Sequence, residues 1–131
     1  MASLLGNTTR RPDIAFHKSG RIEINARIAR ALTLRRGDVI DVDSSQGEYY
    51  LRVRYRAALG SHEAKVYPTG PHTGHFRCRS LRLCSSVLSI AGLRDGQVGR
   101  FPCGEPVVKQ DEIYIPIIIR FNIPGANEQR D

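Results

Sequence analysis

With 131 residues, 40% hydrophobic and 25% charged, the chain has room for one domain with a real core; two large domains and extensive disorder are excluded. A net charge of +7 favours an anionic partner, nucleic acid first, although a basic protein that binds no nucleic acid satisfies charge alone. No apolar run reaches membrane-span length and the start "MASLLGNTTRRPD" lacks a secretory apolar core, so a soluble cytoplasmic protein with no membrane association is expected.

Residues 1–12 are polar and basic and read as a flexible arm. From Asp13 the apolar residues Ile14, Phe16, Ile22 and Ile24 alternate with polar ones, the period of a half-buried strand or hairpin, and Ser19-Gly20 marks its turn. Asn25 then suits a helix N-cap, and Ile28, Ala31, Leu32 and Leu34 predict one buried stripe on a helix of about two turns, leaving Arg27 and Arg30 outside it. Gly37-Asp38 turns the chain into "VIDV", with Gly taking a backbone angle others resist and Asp accepting backbone hydrogen bonds. After the polar turn "DSSQGE", "YYLRVRY" is expected as the paired strand.

Residues 57–74, rich in Gly, Pro and His, read as a connector with a short strand at "AKVY". Laying 21–42 over 80–101 without gaps then places Ile22 and Ile24 on Leu81 and Leu83, Ile28 on Val87, Gly37 on Gly96 and Val39 on Val98. Farther on, "EYYLRV" matches "EIYIPI". The implied architecture is mainly β with two short helices: a small β-barrel built from two β-α-β-β repeats. Its boundaries are repeat one 13–56, connector 57–74 and repeat two 75–121, with 122–131 as a C-terminal tail. Pro116 suggests an edge strand or bulge.

In this overlay Arg21, Arg27 and Arg30 fall on Ser80, Ser86 and Ser89, as if only the first copy met an anionic partner. Arg outnumbers Lys 17 to 3, which suits bidentate contact with phosphates and guanine edges. His72, His75, Cys78 and Cys84 match no common zinc spacing; no metal or cofactor is expected, and Cys78 and Cys84 read as small apolar fillers on a strand. His17, His62, His72 and His75 come with no Walker loop, HExxH or nucleophile elbow, so no enzyme is expected.

The stretch "SGRIEINARIARALTLRRGDVIDV" resembles the AbrB/SpoVT family of swapped-hairpin DNA-binding domains through Gly20-Arg21, Ile22, Ile24, Arg30, Leu32, Leu34 and Gly37-Asp38-Val39. The match runs from Asp13 to Val53 and departs from the family at Asn25, where a Pro is usual, and at Ala29, where a second helix Arg is common. The resemblance implies a prokaryotic or phage transcription regulator or antitoxin-like protein that binds double-stranded DNA. Arg21, Arg27 and Arg30 would face the DNA, with Lys18, Arg35 and Arg36 on phosphates. Family members build the barrel by dimerising; by the resemblance, two units in one chain would build a cradle-loop or double-psi-like barrel alone, which leaves both a homodimer and a monomer open. The other reading is a non-catalytic barrel that docks a protein partner or an assembly.

Overall fold

Burial follows the alternation read from Asp13 onward. Ile14, Phe16, Ile22 and Ile24 all face the core from β1 (Ile14–Phe16) and β2 (Arg21–Ile24), and the turn between these strands is closed by Gly20 at φ +100°. The computed structural model describes residues 12–56, 63–94 and 96–119. The expected arm (apart from Pro12), the expected tail and the Gly60-Ser61-His62 stretch of the connector lie outside the described residues.

Asn25 caps α1 (Ala26–Leu32), its Oδ1 accepting from the Ile28 N–H at 3.0 Å. The buried face of α1 is Ile28, Ala29 and Leu32; Ala31 is only partly covered, which corrects the expected stripe by one position. The helix stops when Thr33 turns left-handed, and this reversal returns Leu34 to the core. The Gly37-Asp38 turn forms as read, with Gly37 at φ +98° and the Arg35 N–H donating to Asp38 Oδ2 at 2.9 Å. It leads into β3 (Asp38–Ser45), which a Gln46-Gly47 turn with both φ positive joins to β4 (Glu48–Arg56), the geometry favoured in tight hairpins.

The second half departs from the ungapped overlay. After β5 (Tyr67–Pro68) and β6 (Phe76–Arg79), α2 runs over Leu81–Ile90, so Leu81 and Leu83, which the overlay sets on strand residues, are already helical, as Val87 is. Ser80 is its N-cap, with Oγ accepting from the Leu83 N–H at 3.1 Å. Cys84 and Val87 are its buried stripe, so Cys84 is a core filler on a helix, while Leu81 is exposed. The polar-apolar alternation of "SLRLC" imitated a strand; the capping serine and the stripe through Cys84, Val87 and Ala91 were the better signal. From the helix end onward the overlay recovers. The Arg94 N–H donates to Gln97 Oε1 at 2.6 Å around Gly96, as Arg35 does to Asp38 around Gly37.

The chain finishes with β7 (Gly99–Phe101), β8 (Val107–Lys109) and β9 (Glu112–Ile117). Two antiparallel sheets result, ordered β5-β6-β2-β1-β7 and β3-β4-β9-β8. Single bridges, Val39 to Lys65 and Ile117 to Cys103, connect the second sheet with segments flanking the two edge strands of the first. One cluster of buried residues draws on both sheets and both helices, and Ala64 and Val66, from the stretch read as a connector, belong to it. Pro116 lies in an inner strand, not at an edge. β8 pairs only as far as Tyr114, and the Pro116 carbonyl accepts from Gly104 on that side, so the missing N–H falls where the regular ladder has ended.

Candidate nucleic-acid interface

Each helix begins with the same three-part arrangement. At α1 the cap is Asn25, Arg27 stands two residues past it, and both donate to Asp13: Asn25 Nδ2 at 2.7 Å, Arg27 Nη2 at 2.7 Å and Arg27 Nε at 3.3 Å. At α2 the cap is Ser80, Arg82 stands two residues past it, and both donate to Glu63: Ser80 Oγ at 2.8 Å, Arg82 Nη2 at 2.7 Å and Arg82 Nε at 3.0 Å. Arg82, not Ser86, therefore holds the place of Arg27, and Ser80 answers to Asn25 rather than to Arg21. Burial pushes the Asp13 pKa up, but the hydrogen bonds from Arg27, Cys103 and Asn25 outweigh it and hold the carboxyl below its ordinary range. Arg27 is raised in turn by its bond to Asp13 and also donates to the Cys103 carbonyl at 3.1 Å. Much of its donor capacity is spent inside the fold.

The exposed cations of the first sheet gather on its outer face. Strand register sets Arg21 directly opposite Arg79, and Glu23 opposite Arg77, across the β2–β6 pair. The next rung continues from Glu23 through Ala15 to Arg100, and Tyr67 lies opposite Arg77 on the other side. Glu23 is the one carboxylate among these facing residues. It accepts from His17 at 2.8 Å and lies 3.6 Å from both Arg21 and Arg77. Desolvation raises the Glu23 pKa, yet the His17 hydrogen bond and the Arg21, His17 and Arg77 charges bring it below the ordinary value. Arg79 and Arg100 make no ion pair among the described residues. Like charges placed directly opposite on a sheet destabilise it, so Arg21 and Arg79 hold a cationic ridge at some cost to the fold.

The sequence-predicted residues thus divide. Arg21 lies in the sheet-face cluster, and Arg27 in the helix clasp. Arg30, Arg35 and Arg36 are exposed at the end of α1 and in the turn behind it, with no ion pair among the described residues; Lys18 is exposed in the β1–β2 turn. Gly20, Gly37 and Gly96 all take the positive φ that their turns require. Sequence reading credited Arg77 and Arg79, with Arg82, only with keeping the second copy charged, and assigned no site role to them or to Arg100. The period of two in "FRCR" carried the signal for the first two: Cys78 points inward and its neighbours outward.

Among the described residues no three metal-ligating side chains come together. Cys78 and Cys84 are buried while His72 and His75 are exposed. Burial and the neighbouring Cys84 push the Cys78 thiol up to about 12, and burial raises Cys84, so neither is a reactive thiolate at neutral pH.

A scan against protein-family models finds no match, and searches of curated proteins and of solved structures find none either.

Proposed function

We propose that this chain binds double-stranded DNA as an AbrB-like regulator, and that its two β-α-β units are copies of one ancestral unit forming a small barrel within a single chain. The shared clasp at each helix start and the matching Asp38 and Gln97 turns support the duplication, as do the bridges at Val39–Lys65 and Cys103–Ile117 for barrel closure. The observation that carries DNA binding is the Arg21–Arg79 pair. Two arginines are cross-strand partners where β2 begins and β6 ends, on an exposed sheet face whose next outward row carries Arg77 and Arg100. A phosphate backbone relieves that repulsion and makes the contacts salt-dependent. Arg30, Arg35 and Arg36 extend the cationic surface, while Arg27 serves the fold.

Labelled mixed-sequence duplex, titrated at about 50 and 200 mM salt, tests this reading. Binding should weaken steeply with salt, and Arg21→Ser with Arg79→Ser should lower the slope by about 2 while raising the unfolding midpoint slightly, as the like-charge pair is removed. Absence of binding at low salt, or an unchanged slope in the variant, sinks the DNA reading.

Docking of a protein partner has one observation of its own. Among the described residues β8 is an edge strand, with Val107 and Val108 exposed beside a backbone edge that pairs with no described strand and that another strand could extend.

A further inference from the structure

A hollow of about 390 Å³ opens on the outer face of the first sheet, where Ala15 sits between Glu23 and Arg100 in one cross-strand row. The small side chain leaves space that longer neighbours enclose: Glu23, Arg77, Arg100 and, at one end, Thr69, His75 and Phe76. The volume falls within the ordinary range of small-molecule sites and exceeds what a bare oxyanion needs.

Although two carboxylates line the hollow, both are already engaged. Asp13 takes hydrogen bonds from Asn25, Arg27 and the Cys103 N–H, and Glu23 is held by His17 between Arg21 and Arg77. The two arginines are not satisfied to the same degree. Arg77 reaches Glu23 only at 3.6 Å, and its buried Nε has no hydrogen-bond partner, while Arg100 has no ion pair among the described residues. That Nε is closed off from the hollow, so the terminal nitrogens of Arg77 are the ones open to a bound group. Guanidinium groups on two sides of a hollow suit a phosphate, which accepts several charge-assisted bonds at once. Beyond them the exposed His75 and Thr69 offer polar contacts, while the Phe76 ring packs against the core.

We propose that this hollow is a seat for a phosphate-bearing, nucleotide-sized ligand, with Arg77 and Arg100 gripping the phosphate and the His75 and Thr69 end taking the sugar and base. The phosphate can come from a free nucleotide or from the end of a nucleic-acid strand, and the site stands independently of duplex binding.

Calorimetric titration with thymidine 5′-monophosphate, thymidine and inorganic phosphate reads the site directly. The expected result is one site for the monophosphate, weaker binding of phosphate and none of thymidine. Arg77→Gln with Arg100→Gln should weaken the monophosphate at least about tenfold. Ala15→Leu, which fills the hollow without changing charge, should do the same, with circular dichroism confirming the fold of each variant. Monophosphate binding that is absent, or equal in both variants, overturns the proposal. Duplex titrated in parallel separates the two readings. Monophosphate bound without duplex keeps the site and assigns it to free nucleotides; duplex bound without monophosphate removes the site and leaves the DNA reading intact.

Discussion

At the start of α1, Asp13 is 5% exposed and accepts four hydrogen bonds, whereas at the start of α2 Glu63 is 42% exposed and accepts three. The cap, the arginine and the acid are alike; depth differs. One of the Asp13 donors is the Cys103 N–H, ninety positions along the chain, so that carboxylate ties α1 to the strand leaving β7. Glu63 gathers its own cap and an arginine that is 85% exposed. The same local chemistry is therefore a tertiary lock in one place and a surface cap in the other, because the value of a charged hydrogen bond depends on how much water it displaces.

The largest expected effect tests what the two helices share. Four residues past each cap stand Ala29 and Cys84, both small and both buried. Ala29→Arg and Cys84→Arg should each cost at least about 3 kcal/mol, because each forces a long charged side chain into a filled space. Urea unfolding of the two variants checks this. A soluble Ala29→Arg protein with an unchanged midpoint would mean that α1 can rotate its face outward. The Ala at position 29, a departure from the family pattern noted in the sequence, thus has a structural reason.

Unequal depth predicts the next effect. Asp13→Ala leaves Arg27, Asn25 and the Cys103 N–H without their acceptor and should cost about 2–3 kcal/mol, with Glu63→Ala shifting the unfolding midpoint far less. Equal shifts would erase the distinction between lock and cap. Acid sharpens the same contrast. The Asp13 pKa is lowered in the folded state, so its contribution is complete above the unfolded value of about 3.9 and is lost as pH falls through the lower folded value. Glu63 is lowered as well, chiefly by Arg82 and Ser80. Wild type should lose stability below about pH 4. That loss should shrink more in Asp13→Asn than in Glu63→Gln, as followed by denaturant midpoints across the acid range.

Much of the first unit was legible in the sequence. Ile14, Phe16, Ile22 and Ile24 alternate without interruption, Asn25 is a strong cap, and Gly37-Asp38 permits few conformations. The second unit was legible only from its Gly96 turn onward, since α2 has ten residues against seven in α1. An ungapped overlay cannot register that added length before the turn, and "SLRLC" offers a false period of two. The acids at both helix starts and the Arg21–Arg79 opposition were not legible at all. They depend on strand register and on contacts up to ninety positions apart, which no local pattern encodes.

The smallest expected effect concerns the two turns where the overlay does hold. Asp38 is 6% exposed and accepts from the Arg35 N–H; Gln97 is exposed and accepts from the Arg94 N–H. Asp38→Ala should cost about 1 kcal/mol, because a part-buried turn N–H then loses its acceptor, and Asp38→Asn should recover most of it by keeping the oxygen. Gln97→Ala should cost only a few tenths of a kcal/mol, since water replaces an exposed acceptor. Chemical denaturation of the three variants resolves this ordering. If Gln97→Ala costs as much as Asp38→Ala, the turn bond itself matters more than its burial, and the depth argument drawn from the two helix starts does not extend to the turns.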